Sequence, residues 1–301
     1  MSRVFVAVNE QGKRIAIKIA RSDNPTYTNF LKEEVAQLRK TRHPNVVHIY
    51  PISLVPQQHV VYIARGTNLA PRFGGDAPWY YAMEMIEGGS MFAHRDNLLR
   101  FPIDWRIELA YQIALGIHYL HSEGIAHRDV KPDNVVFRHQ PNPVQIERPD
   151  PVLVDFGIAS RHNEDPLIFS GTLRYAAPEV VERLTGMKAH YRTTQTAQVD
   201  HCPADIWAFG VVIYELLTGR HPFEPFQNDD NLAEKILHSI PSPMPGVHES
   251  IQRLVLGDPN QKDTFGGLRG GMLSKVREDR PDIGFVVQHL DTETLYLPPR
   301  Y

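Results

Sequence analysis

The chain predicts an α+β fold, with a small β-rich N-terminal part and a larger, mainly helical C-terminal part, and three stretches carry that prediction. Val4 to Val8 and Arg14 to Ala20 are β-prone runs joined by Asn9-Glu10-Gln11-Gly12-Lys13, a turn-forming cluster, so they read as a hairpin. Trp105 to Ser122 sets Ile107, Tyr111, Ala114, Ile117 and Leu120 on one face at helical spacing. Asp205 to Leu217 is apolar nearly all round, as a buried helix must be, and Gly219 stops it. A length of 301 residues supports a substantial core and one or two folding units.

The elements between these follow in order. Thr28 to Lys40 carries Phe30, Leu31, Val35 and Leu38 at helical spacing. Val46 to Ile63 is strand-like, and Arg65 to Pro78, rich in Gly and Pro, is a loop longer than a compact domain normally carries. Tyr80 to Ile86 reads as a further strand running into Glu87-Gly88-Gly89-Ser90. Asp104 is the expected N-cap of the Trp105 to Ser122 helix, and Gly124 lies just past its end. Val135-Val136-Phe137 and Val152-Leu153-Val154 are apolar strands on either side of a Pro-rich excursion from His139 to Pro151, and Arg183 to Ala204 is a long polar stretch. His118 and His121 sit at i, i+3, and His201 adjoins Cys202, but neither pair has a third ligand nearby, so both read as ordinary residues rather than metal sites.

Composition narrows the class. Hydrophobic residues make up 42% and charged residues 22%, the balance of a globular chain, and a net charge of -3 gives no nucleic-acid footprint. The single Cys202 cannot form an internal disulfide, which suits a reducing, cytoplasmic setting. The apolar run at Val4 to Val8 is too short for a secretory signal, and the longest, Ile206 to Tyr214, is too short to span a bilayer, so a soluble protein is expected.

Chemistry concentrates in His127-Arg128-Asp129-Val130-Lys131-Pro132-Asp133-Asn134 and, 21 residues after Asn134, in Asp155-Phe156-Gly157. Phosphoryl transfer asks for positioning, for a base that orients an attacking hydroxyl, and for charge neutralisation by magnesium. Asp129 is the candidate base, Lys131 can reach a transferring phosphate as a point charge, and Asn134 and Asp155 offer oxygens to a hard cation.

The order H-R-D, K-P-D-N, D-F-G and then Ala177-Pro178-Glu179 is that of the eukaryotic-type protein kinases, which the chain resembles from about Val4 to about Leu290. Lys131 and Gly171-Thr172-Leu173-Arg174-Tyr175 resemble the serine/threonine branch. The resemblance implies a two-lobed kinase fold. Residues 1–290 would form the domain: an N-lobe 1–86 with an insertion near 65–78, a C-lobe 87–290 with insertions near 139–151 and 183–204, then a tail 291–301.

It also implies ATP and Mg2+ as cofactors and a protein substrate offering Ser or Thr. Lys18 in Ile15-Ala16-Ile17-Lys18 would hold the α- and β-phosphates and pair with Glu34, nine residues before His43-Pro44-Asn45. Val4, Ala16, Met83 as gatekeeper, the backbone of Glu84 and Ile86, and Val136 as floor would surround adenine. Asp205 would hold the backbone of the His127-Arg128-Asp129 loop, and Arg280 would pair with Glu179. Arg128 resembles the arginine that orders a phosphorylated activation segment; Ser170 is the candidate regulatory site, whereas Thr172 would bond the catalytic loop. Asp133 is a slight hint of preference for basic substrates.

One departure stands out. The family's Gly-rich loop, G-x-G-x-x-G-x-V, would precede the Lys18 strand, yet Val4 falls where its valine is expected, so the loop and the first small-lobe strand are missing. A missed upstream start or trimming, a true short form with weakened nucleotide binding, and a scaffold without catalysis all account for this, the first being favoured. The intact set Lys18, Glu34, Asp129, Lys131, Asn134 and Asp155 argues against the scaffold. Small-molecule kinases share an H-x-D-x-x-x-x-N loop but lack the Ala177-Pro178-Glu179 segment and the Asp205 helix.

Overall fold

Asn9 closes the first hairpin. Its Oδ1 accepts from the backbone N–H of Gln11 and Lys13 at 3.1 and 2.8 Å, a side chain imitating a backbone turn, and strands β1 (Ser2–Val8) and β2 (Arg14–Ala20) run antiparallel from it. The computed structural model describes residues 2–9, 11–20, 25–53, 60–61, 64–65, 79–144, 149–156, 160–161, 173–187, 200–262 and 268–294.

Helix α1 (Pro25–Leu38) follows, starting and ending slightly earlier than its apolar spacing suggests. Leu31, Glu34, Val35 and Leu38 are its buried stripe, so one carboxylate is carried inward with the aliphatic side chains. Strands β3 (Ile49–Tyr50), β6 (Ala64–Arg65) and β7 (Trp79–Glu84) complete an antiparallel sheet of order β1-β2-β7-β3, with β6 also on β7; β4 (Ile52–Ser53) and β5 (Val60–Val61) pair separately. Arg65, expected to begin a loop, therefore lies in a strand, while residues 66–78 fall outside the described set.

A single helical turn, α2 (Arg95–Leu98), leads to the long α3 (Ile103–Ser122). Asp104 does not cap α3. The carbonyl of Pro102 accepts from Trp105 and Arg106 N–H at 3.1 and 3.3 Å, so the helix starts two residues early on a residue with no N–H to satisfy, and Asp104 lies within the first turn. Short strands β8 (Ile125–Ala126), β9 (Val135–Phe137), β10 (Pro151–Leu153) and β11 (Ser160–Arg161) carry the loops between; β10 pairs with β9 and β11 with β8. Pro151, read as the end of an excursion, is the first residue of β10.

Helices α4 (Pro178–Thr185), α5 (Cys202–Thr218), α6 (Asp229–His238), α7 (Glu249–Leu256) and α8 (Ile283–Thr294) build the larger lobe. Trp207, Phe209, Val211, Val212 and Ile213 of α5 are fully buried, and the helix ends at Gly219 with φ 74, a left-handed cap that a side chain would strain. Helix α3 packs on α5 and α8. No helix among the described residues is long and apolar enough to cross a membrane.

The lobes are stitched beside the segment after β7. Gly88 and Met91 N–H donate to Phe137 and Val135 carbonyls at 2.8 Å each, and a Cβ on Gly88 would sit 2.4 Å from the Phe137 and His139 carbonyl oxygens, so only glycine fits. Behind it, Arg138 pairs with Glu84, lies 3.5 Å from Asp150, and donates to the Pro44 carbonyl at 2.8 Å.

Candidate active site

Strand β8 delivers the chain to His127, and α5 supplies what holds the next residues. The Asp205 carboxylate accepts from His127 N–H and Arg128 N–H at 2.7 Å each, and His121 Nε2 from α3 lies 2.9 Å from its Oδ2. Burial alone would raise the Asp205 carboxyl, but the His121 hydrogen bond and charge, the His127 charge and the Arg128 N–H hold it below the usual carboxylate value. Arg128 itself has φ 66, a strained conformation for a side chain of this size, and Asp205 fixes it there.

The loop then converges on Asp129. Lys131 Nζ sits 2.7 and 3.0 Å from its two carboxylate oxygens, and Asn134 Nδ2 donates to the Asp129 Oδ2 and carbonyl, both at 2.8 Å. This fixes Asn134 with its amide nitrogen toward Asp129. Val154 N–H donates to the Asn134 carbonyl at 2.9 Å, so Asp155 leaves β10 directly beside the loop.

Asp155, with φ 63, is the other non-glycine residue in a left-handed conformation among the described residues. Its Oδ1 accepts from Lys18 Nζ at 2.8 Å, and Lys18 also reaches Glu34 Oε1 at 2.6 Å. Glu34 in turn accepts Phe156 N–H at 3.0 Å and the Tyr81 phenol, so α1, β2, β7 and the Asp155 segment meet at one carboxylate. Burial opposes the Lys18 ammonium, but the charges of Glu34 and Asp155 outweigh it and raise its pKa.

Register places the remaining candidates. Val4 and Tyr81 lie opposite Lys18 across β1 and β7, and Met83 lies opposite Ala16, so Val4, Ala16, Lys18 and Met83 share one face of the sheet. Ala16 is buried, whereas Val4 is 56% exposed on that face. Glu84 N–H is bonded to the His48 carbonyl at 2.9 Å. Ile86 follows the strand, half-buried, and Val136 of β9 is bridged to Ser90. Farther out, Arg280 grips both Glu179 oxygens at 2.7 Å, with burial opposed chiefly by the Arg280 charge so that the Glu179 pKa stays low. Ser170, Thr172 and Gly157 lie outside the described residues.

Two contacts escape sequence reasoning. His121, read as an ordinary helix histidine, supports Asp205; only the apolar-face position of its neighbours hinted that it points inward. Glu215, one turn from the end of α5, accepts the Tyr175 hydroxyl at 2.8 Å and Arg174 Nε at 2.9 Å.

The donor set suits magnesium. Among the described residues no group of three or more His, Cys, Asp or Glu could hold a metal ion, but Mg2+ typically takes one or two protein oxygens, substrate phosphates and waters. The Asp155 carboxylate and the Asn134 amide oxygen, to which no described group donates, fit that pattern.

Comparison with known proteins gives the class. A family model for the protein kinase domain matches residues 1–290, and the chain belongs to that family. It is 27% identical to a serine/threonine-protein kinase of Drosophila persimilis over 87% of this chain and 28% of the relative, and 26% identical to one of Drosophila melanogaster over the same shares. A probable serine/threonine-protein kinase of Saccharomyces cerevisiae is 26% identical over 93% of this chain and 19% of its own length. The chain thus spans less than a third of the curated relatives it matches.

Proposed function

We propose that this chain transfers the γ-phosphoryl of Mg-ATP to a Ser or Thr hydroxyl of a protein substrate. The observation that carries the reading is the convergence of two bonded clusters, Lys18–Glu34–Asp155 from above and Asp129–Lys131–Asn134 from below, joined through the Val154–Asn134 backbone bond. Asp129 orients the acceptor hydroxyl and takes its proton, and Lys131, already on the Asp129 carboxylate, is placed to shift its charge onto the transferring phosphate. Lys18, braced by Glu34, holds the inner phosphates, and the Val4, Ala16, Met83 and Val136 side chains with the backbone of Glu84 and Ile86 receive adenine. Asn134 and Asp155 would hold magnesium, which when bound neutralises charge on the phosphates.

Asp205 and its His121 support set the backbone around Asp129, and the Arg280–Glu179 pair anchors the Ala177-Pro178-Glu179 segment. The test is Asp129→Asn in a γ-phosphate transfer assay with Mg-ATP. Transfer falls by at least about a hundredfold while the unfolding midpoint stays near wild type. A variant that turns over like wild type overturns the assignment. A wild-type chain that Mg-ATP fails to stabilise in a thermal-shift titration would favour a scaffold instead.

A further inference from the structure

A cavity of about 400 Å³ lies beside the catalytic loop and away from the nucleotide residues. Its apolar wall is Met91, Phe92, Leu99, Pro132 and Leu216. Phe92 N–H donates to the Pro132 carbonyl at 3.1 Å, so this wall is fastened to the loop that carries Asp129 three residues earlier. Phe92 and Leu99, which both line the recess, are 46% and 39% exposed, so apolar surface is open to a ligand there.

The polar side of the recess is acidic in composition but already neutralised. Arg174 lies 2.8 Å from Glu215 and 3.4 Å from Glu224 through one guanidinium nitrogen, and its Nε donates to Glu215 Oε1 at 2.9 Å. The other Glu215 oxygen accepts the Tyr175 hydroxyl at 2.8 Å. Arg174 is held from behind as well: its guanidinium lies 5.5 Å from the Phe226 ring, and its carbonyl is 2.9 Å from His221 Nε2. At the rim, Arg95 and Asp96 offset one another at 3.8 Å.

We propose that this recess is a substrate subsite that takes an apolar side chain flanking the phospho-acceptor, and that Arg174 sets the preference by occupying Glu215 and Glu224. The proposal rests on the kinase reading above: a segment presenting its hydroxyl to Asp129 would run past the wall that the Phe92–Pro132 bond fastens to the same loop. A basic side chain entering here meets the Arg174 guanidinium and finds no uncommitted carboxylate oxygen on Glu215. An apolar one covers Phe92 and Leu99. Arg174 and Leu99 act on selection and not on transfer.

The test is a positional-scanning library of Ser/Thr peptides phosphorylated with labelled ATP and Mg2+. Wild type selects Leu, Met or Phe over Arg and Lys by about tenfold or more at one position near the acceptor. Arg174→Ala frees the two glutamates and turns that same position toward Arg and Lys. Leu99→Asp, a change at an exposed side chain that leaves the fold intact, removes the apolar preference. A wild-type profile with no apolar selection at any position, or an unchanged profile in both variants, overturns the proposal while leaving the kinase reading in place. If no peptide is phosphorylated, the kinase reading fails separately, and fluorescence anisotropy with the labelled peptides decides the pocket: apolar-over-basic binding abolished by Leu99→Asp supports it, and equal binding refutes it.

Discussion

Lys18→Met is the sharpest perturbation of the site because it removes one charge from a buried cluster while keeping an unbranched side chain of similar length. The Lys18 and Glu34 side chains are 5% and 1% exposed, so the Glu34 carboxylate is left without its ammonium in a place water does not reach. Removing one partner of such a pair costs about 3–5 kcal/mol. The Phe156 N–H and the Tyr81 phenol still donate to Glu34 and place the expected loss at the lower end, about 3 kcal/mol. Asp155 adds little to that figure, since its side chain is 52% exposed and water takes over its share. The double variant Lys18→Met/Glu34→Gln removes both charges and loses less than the two single losses summed, with a coupling of about 2 kcal/mol. Urea unfolding at neutral pH, followed by tryptophan fluorescence, measures all three. Single losses that simply add, or a Lys18→Met variant within about 0.5 kcal/mol of wild type, would refute the buried-cluster argument.

Asp205→Asn turns an oxygen that accepts a backbone N–H into a donor, leaving one of His127 or Arg128 unpaired at about 1–3 kcal/mol, and hydrogen exchange at those two amides rises with a fall in transfer rate; unchanged exchange contradicts the holding role. Arg280→Ala strips the partner from a guanidinium–carboxylate pair whose Arg280 side chain is 0% exposed and costs about 3–5 kcal/mol in urea unfolding, and Arg280→Lys recovers only part because one ammonium cannot grip both oxygens. Burial lowers the His221 pKa to about 4, so the folded state keeps this ring neutral while the unfolded chain takes up a proton below 6.5. Stability is therefore full above pH 6.5 and declines by roughly 3 kcal/mol as pH falls to about 4, and His221→Phe flattens that slope in unfolding measured across the window.

How much of this was visible beforehand depends on whether a feature is local. The Asn9 to Lys13 turn, the α5 stop at Gly219 and the inward stripe of α1 are set within a few residues, and periodicity finds them. Lys18 and Glu34 can each be picked out on their own elements by motif and spacing, but the 2.6 Å between them is a product of tertiary packing. The same holds more strongly for His121: helical spacing turns it inward, yet its partner Asp205 is 84 residues away. Left-handed Arg128 and Asp155 leave no side-chain signature, because the cost is borne by the backbone and offset by distant carboxylates. The α3 start was misplaced because Asp104 is a good capping residue in isolation, whereas the carbonyl of Pro102 closes the first turn.

Arg138 has a mechanical consequence. It belongs to the segment after β9, yet it pairs with Glu84 at the end of β7 and donates to Pro44 ahead of β3, so it straddles the joint from the rear. Any swing that opens this joint must stretch the tether, so the stiffness of the hinge rests on one guanidinium as well as on the Gly88 and Met91 backbone bonds.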